Sequence, residues 1–463
     1  MIFIRVAHRN EHSRALPPSS AMTSASRRAL IASLALLTTA PRLLAQPAAS
    51  PKSPVTTAIR AAHLIDPASG RQLDRVVVIV RGDSVISVDT TGRVPAGVSV
   101  VDLGTATLLP GLIDVHTHLS SQSGSYYDDL FRLSPIDKAI RAHLYAERTL
   151  MAGFTSVRDV GGEEYIDVAL RNAIARGDIP GPRMSVATLA ISATGGHGDL
   201  NGFSPTLEIH GASGIADGVD AIRRLVREDV KRGADVIKVL AGAGVLSEEE
   251  SVGAPQYSQA ELDALVEEAA MWGRRVAAHA HGAEAIRRAA LAGVASVEHG
   301  GLVDTAGIRI MLAKRTFLVP DILTDVYLLE NAKSLSWPEK IIEKERTLRG
   351  FQDANWTRAY RAGVRFAFGT DAGVYPHGQN ARQFALLVQH LSITPMQAIQ
   401  MATTNAAALM GTTGRAGVIA PGSYADIIAV AGDPLRDVST LEQVTFVMKA
   451  GVVYKRPADA TRK

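Results

Sequence analysis

The chain of 463 residues contains no cysteine. That excludes disulfides, thiolate metal ligands and a cysteine nucleophile, so a metal would have to be held by histidine, carboxylate or a less common group. There is no Gly-x-Ser-x-Gly run, which removes the serine nucleophile elbow. The apolar run 29–37 is too short to span a bilayer. A strong charge imbalance is also lacking. The formal charge is +3, but residues 1–46 hold six arginines and one glutamate, and the remainder carries 43 basic and 45 acidic side chains. The basic pI therefore belongs to the leader and gives no reason to expect a nucleic-acid partner.

The leader has the pattern of an export signal. Ser26-Arg27-Arg28 precedes the apolar run, and small residues follow near Ala45 and Ala48-Ala49. Ser-Arg-Arg-Ala-Leu-Ile resembles a twin-arginine signal, with an ordinary secretory signal as the alternative. Cleavage of residues 1–46 would leave no membrane anchor and a periplasmic or secreted protein. The first 21 residues look like neither signal nor domain, which makes Met22 a candidate start. Residues 47–57, with three prolines, read as a linker.

What remains is long enough for a large α/β domain and a smaller one. Val76-Val77-Val78-Ile79-Val80 is almost wholly β-branched, and the turn 81–84 leads into Val85-Ile86-Ser87-Val88, a hairpin signature. Matching strands return at 425–430 and 444–448. The expectation is a small β-sandwich domain built from 58–110 and 413–463, with the large domain, 111–412, between them.

The large domain carries a weak repeat: a helical pattern, a glycine, then a short apolar strand ending in a polar residue. Gly153, Gly233, Gly273, Gly293 and Gly363 are placed like helix C′ residues, where a left-handed conformation costs least without a Cβ. The strands read as 155–159, 234–238, 276–279, 295–299 and 364–371. Helical spacing runs from Val219 to Val230, and Ser258-Gln259-Ala260-Glu261 is a capping box. Alternating helices and strands imply a parallel sheet. A doubly wound sheet fits; a (β/α)8 TIM-like barrel fits better, because polar residues recur at the C-terminal strand ends, where such barrels place their chemistry.

Six residues stand out there: His116, His118, Lys238, His279, His299 and Asp371. On a strand, His116 and His118 of Gly111-Leu112-Ile113-Asp114-Val115-His116-Thr117-His118 share a face and form half of a metal site. Each has a plainer alternative: exposed loop histidines, core histidines at 279 and 299, a helix N-cap at Asp371. Lys238 sits inside the apolar run 236–240. A buried ammonium must lose its proton or find a partner such as Asp159; a neutral amine can instead take up carbon dioxide as a carbamate that bridges two cations.

Taken in order, these motifs resemble the amidohydrolase superfamily over almost everything after the leader. The resemblance implies a (β/α)8 barrel with a flanking β domain and two divalent cations, usually zinc. His116, His118 and Asp371 would bind the first, His279 and His299 the second, and carboxylated Lys238 would bridge them. Thr194-Gly195-Gly196-His197-Gly198-Asp199, His279-Ala280-His281-Gly282, Pro376-His377-Gly378-Gln379-Asn380 and Pro421-Gly422-Ser423-Tyr424-Ala425-Asp426 look like the bacterial metallocarboxypeptidase and Xaa-Pro dipeptidase branch, which includes ochratoxin-hydrolysing amidohydrolases. Some relatives have Tyr at the position of His281.

The expected reaction is hydrolysis of an amide or peptide bond to a C-terminal amino acid, with Asp371 as the proton shuttle. His197 is expected on the substrate carboxylate, with His281, Ser121 and Asn380 as further substrate contacts and Ser120 close by. A homo-oligomer is expected by resemblance. A cyclic-amide hydrolase of the imidazolonepropionase type, a mononuclear deaminase and a scaffold without activity are the alternatives. Lys238 speaks against the deaminase and the full ligand set against the scaffold.

Overall fold

In the computed structural model, residues 55–122, 124, 132–202, 204, 206, 213–247, 251–335 and 337–457 are described. They fall in the compact unit that begins at Pro54. The expected export signal, and the linker up to residue 54, lie outside them. Val55–Thr57 do not: the first strand already starts at Thr56. Among the described residues no helix is long and apolar enough to cross a membrane.

Both ends of the chain build one antiparallel-rich sheet. Its strands are β1 (Thr56–Asp66), β2 (Arg71–Arg81), β3 (Ser84–Asp89), β4 (Ser99–Asp102) and β5 (Thr107–Pro110), joined later by β16 (Ile427–Val430), β17 (Val444–Lys449) and β18 (Val452–Lys455). Pairing runs β18-β17-β16-β5-β1-β2-β3, with β4 beside β1. Where two facing sheets are expected, the ladders connect all eight strands in one. Its buried face gathers Ile59, Val78 and Val85 from one end with Ile427, Phe446 and Met448 from the other, so distant strands share one core. Backbone bonds from Val85 N to Ser423 O (2.9 Å) and from Ala425 N to Asp83 O (2.7 Å) tie the two halves further.

Between the halves lie β6 (Leu112–Thr117), β7 (Phe154–Asp159), β8 (Arg183–Val186), β9 (Ala190–Ser192), β10 (Ser213–Ile215), β11 (Val236–Leu240), β12 (Arg275–Ala280), β13 (Ser296–His299), β14 (Phe317–Val319) and β15 (Arg365–Phe366). All their pairings are parallel, in a three-stranded sheet β6-β7-β8 and a seven-stranded sheet β10-β9-β11-β12-β13-β14-β15. These ladders are two sheets, not a single doubly wound one. Backbone bonds cross both gaps. Asp235 N donates to Val186 O (2.8 Å) on one side; Val115 N to Phe368 O (2.9 Å) and His118 N to Ala372 O (2.8 Å) bridge the other.

The helices follow the local chemistry. Val219–Arg232 ends at Gly233 with φ 110°, and Gln259–Met271 opens on the Ser258/Glu261 capping box. All five glycines singled out from the sequence have positive φ. The strand over 364–371 is shorter than expected, since ladder pairing covers only Arg365–Phe366; residues beyond it bond to β6 instead. β11 is displaced, so that Lys238 sits in the middle of its strand rather than at the end.

Gly153 joins the two parts of the fold. Its φ is 97°, and a Cβ there would lie 2.9 Å from Val444 Cγ2 of β17. Gly153→Ala is expected to cost about 1–3 kcal/mol, read as a lower urea midpoint with an unchanged slope. An unchanged midpoint would contradict this account of the junction.

Candidate metal centre

β6 delivers His116, and its continuation delivers His118; their rings lie 5.4 Å apart. Both meet Asp371 Oδ1, His116 Nε2 at 3.2 Å and His118 Nε2 at 3.0 Å. Asp371 caps none of the described helices. It has φ 57°, and His299 at the end of β13 has φ 67°. Non-glycine residues adopt this conformation at a cost and hold it only where the surroundings enforce it.

For Asp371 the enforcing group is Asp114. This buried carboxylate accepts from His116 N (3.1 Å) and Thr370 N (3.1 Å) through Oδ1, and from Thr370 Oγ1 (2.6 Å) and Asn380 Nδ2 (2.8 Å) through Oδ2. Burial pushes Asp114 up to about 6, against the opposing pull of those bonds. For His299 the anchors are Asp321 Oδ2, 2.9 Å from Nδ1, and the Trp356 indole N–H, which donates to the His299 carbonyl (2.8 Å).

β12 contributes His279, and His281 follows its end. His279 stacks on His197 with centroids 4.3 Å apart and meets His299 edge-on at 4.5 Å. His281 stacks on His299 at 4.7 Å. Potential ligand atoms of His279, His281 and His299 lie within 4.8 Å of one another, as do those of His116, His299 and Asp371. Lys238 is flanked on neighbouring strands by Ala190 and Ala277, whose small side chains leave its stem room. Among the described residues no ion pair joins it to Asp159, which accepts instead from Leu119 N (2.6 Å).

All six candidate ligands line one cavity of about 310 Å³, together with Ser121, His197 and His281. His197 Nδ1 lies 2.7 Å from Ser247 Oγ. Ser121 is fixed through its carbonyl, which accepts from His377 Nε2 (2.8 Å). Asn380 is not among the lining residues. Its amide is spent on Asp114, so the expected substrate contact is replaced by a supporting one. Ser120 is buried and also absent from the lining.

The site's electrostatics suit cation binding. Burial first, then the mutual repulsion of His197, His299, His281 and Lys238, holds His279 well below the usual imidazole range. Burial and repulsion from His299 and His197 hold His281 well below it too, and burial with His116 brings His299 to about 3. Burial lowers Lys238. Burial would raise Asp371, but attraction to His116 and bonds from His116 and His118 overcome it and keep the carboxylate ionised. His118 is the exception among the histidines: against burial, its hydrogen bond with Asp371 and the attraction to that carboxylate shift it upward. Neutral imidazoles such as His279, His281 and His299 near a carboxylate are what a divalent ion requires. His279 Nε2 and His281 Nδ1 are buried without a hydrogen-bond partner. Such orphaned nitrogens are costly unless something coordinates them.

Four supporting residues escaped the sequence reading. Glu298 Oε2 lies 3.3 Å from His116 Nδ1, while its Oε1 accepts from Arg158 Nη2 (2.8 Å). Arg158 in turn donates to Val115 O (2.6 Å) and Ser296 Oγ (2.9 Å). Asp321 and Asp114 complete the set. A carboxylate behind a ligating imidazole orients the ring and raises its basicity. The signal was present: Asp114 lies two residues before His116, and Glu298 adjoins His299. Asp114→Asn turns an acceptor into a donor facing Asn380. We expect about 2–4 kcal/mol less stability and at least about tenfold weaker metal retention, measured by urea unfolding and by metal analysis after chelator dialysis. Retention of both would remove Asp114 from this role.

Comparison with known proteins agrees with the geometry. Residues 107–454 match the model of the "Amidohydrolase family". The chain is 32% identical over 415 residues to an ochratoxinase from Aspergillus niger, covering 83% of this chain and 82% of that one. It is 27% identical over 411 residues to an imidazolonepropionase from Deinococcus deserti, covering 81% and 93%. The crystal structure of a Xaa-Pro dipeptidase with methionine bound in its active site superposes with a TM-score of 0.82 at 35% identity, over 86% of this chain and 100% of that one. These likenesses make the fold a TIM-barrel-like α/β fold. The chain belongs to the amidohydrolase family of hydrolases acting on C–N bonds.

Proposed function

We propose that the protein is a binuclear metal-dependent amidohydrolase that cleaves the bond to a C-terminal amino acid in dipeptides, N-acyl amino acids or ochratoxin-like amides. The observation that carries this reading is the convergence of four imidazoles, Lys238 and Asp371 on one cavity. His116, His118 and Asp371 would hold one divalent cation and His279 and His299 the other, with Lys238 carboxylated between them; zinc is the expected ion. When bound, the cations supply Lewis-acid activation of water and of the scissile carbonyl.

The chain's own groups do the rest. Lys238, driven toward its neutral form by burial, forms a C–N bond with carbon dioxide and gives up a proton, leaving a carbamate anion in place of an unpartnered ammonium. The Asp371 carboxylate takes the proton of the attacking water and passes it to the leaving nitrogen. His197, with Nδ1 held by Ser247, presents Nε2 to the substrate carboxylate, and His281 and Ser121 line the same space. In this reading the bonds joining the parallel sheets close a (β/α)8 barrel over 111–412, and the sheet from 58–110 and 413–463 folds over its shared core as a sandwich. Export through the leader and assembly into a homo-oligomer belong to the same proposal; enzyme confined to the cytoplasm on cell fractionation would count against export.

The similarity to an imidazolonepropionase supports a second reading, hydrolysis of a cyclic amide by the same site. A library of dipeptides, N-acyl amino acids and cyclic amides, screened with zinc-loaded enzyme, separates the two. The expected result is about two ions per chain and turnover of linear amides that a chelator abolishes and zinc restores. About one ion per chain, or turnover of cyclic amides alone, would overturn the first reading. His197→Ala is expected to lower kcat/KM about 10–100-fold on substrates with a free carboxylate and much less on their esters. An equal loss on both would contradict the assignment.

A further inference from the structure

The cavity also carries an acidic wall formed by two residues that are not candidate ligands. Asp325 stands one turn along the helix Ile322–Asn331 from Asp321, and Glu345 comes from the helix Glu339–Arg361; both line the cavity. Asp325 is 3% exposed and Glu345 1%. The two carboxyl groups hydrogen-bond one another. Beyond that bond, Asp325 Oδ2 and Glu345 Oε1 are buried without a partner.

Arg349 attracts both acids from a distance, but among the described residues no ion pair joins a cation to either, and the nearby cations bond to other groups. Arg349 pairs with Asp353 and approaches His390 Nδ1 (3.1 Å). Lys344 Nζ donates to the carbonyls of Ser247 (2.6 Å) and Gly244 (3.1 Å). A hydrogen bond between two carboxyl groups needs one of them protonated, so the pair holds a single buried negative charge, with no ion pair to it among the described residues; a cation from outside relieves the cost of that charge. The lining also contains Val245, Leu246, Leu328 and Val374. An aliphatic stem packs on such a surface while its charged tip reaches polar partners.

We propose that Asp325 and Glu345 bind a cationic nitrogen of the substrate, a guanidinium or ammonium group, so that amides bearing a basic side chain are preferred. The inference rests on the hydrolase reading above and narrows it, since amides without a cationic group offer this wall nothing. The same chemistry is available from a free α-amino group, which lacks the stem that the apolar lining fits.

The test compares kcat/KM on matched dipeptides carrying arginine or its neutral isostere citrulline, at either position, with free and N-acetylated amino termini. Arginine is expected to exceed citrulline by about a hundredfold, the loss typical of one unmade charged hydrogen bond in a buried site. Asp325→Asn and Glu345→Gln should each bring that ratio toward one. The ratio, unlike the rate, is insensitive to the fraction of folded enzyme. A preference that follows the free amino group instead would assign the wall to the substrate's amino terminus. Equal rates for arginine and citrulline, free or acetylated, overturn the proposal and leave the hydrolase reading intact. If none of these peptides is cleaved, and no N-acyl amino acid or other linear amide is either, the hydrolase reading fails. Calorimetric titration with L-arginine and L-citrulline then decides the acidic wall separately: tighter arginine binding, lost in Asp325→Asn, supports it, and equal binding overturns it.

Discussion

One buried carboxylate ties the metal-centre residues into the fold. Asp114 takes hydrogen bonds from β6 and from the turn after β15, two segments more than 250 residues apart in sequence. It thereby sets His116 and the left-handed Asp371 in one geometry. Without it, Thr370 and Asn380 would lose their acceptor in a place that water does not reach, and the strained turn would have no reason to persist. The close approach of both imidazoles to Asp371 Oδ1 follows from this clamp.

Around that clamp the site is arranged by charge. His279, His281 and His299, crowded together in a buried space, are held toward the neutral form, because burial and repulsion from neighbouring imidazoles both disfavour the imidazolium. Carboxylates stand behind them: Glu298 behind His116 and Asp321 behind His299. Arg158 balances Glu298, so this fully buried acid carries its own counter-ion. Lys238 has no such ion pair among the described residues, which sets it apart from Arg158. Asp325 and Glu345 differ again: both line the cavity, and Asp325 Oδ2 and Glu345 Oε1 are buried with no hydrogen-bond partner among the described residues.

Much of the fold was legible. The hairpin over 76–88, the capping box at Ser258 and the helix-ending glycines rest on local rules of backbone conformation, and the structure agrees at each. The strand over 364–371 was over-read, because an apolar run does not reveal where ladder pairing stops and single cross-strand bonds take over. Asn380 was misread for a related reason. Its neighbours Pro376, His377 and Gly378 suggest a binding loop, but its amide turns inward to Asp114, a partner 266 residues away.

The sequence by itself determined the chemistry available: no thiols, a pair of histidines on one strand face, two more at later strand ends, a lysine in an apolar run and an aspartate after a glycine. Residue type and short spacing suffice for that, since strand alternation and burial cost act locally. Only the tertiary structure decided which of these groups meet, which of their ring nitrogens are spoken for, and that Asp325 and Glu345, 20 residues apart on separate helices, share one wall. Those facts depend on how parallel strands and their connecting helices pack, and packing is set by contacts between residues far apart along the chain.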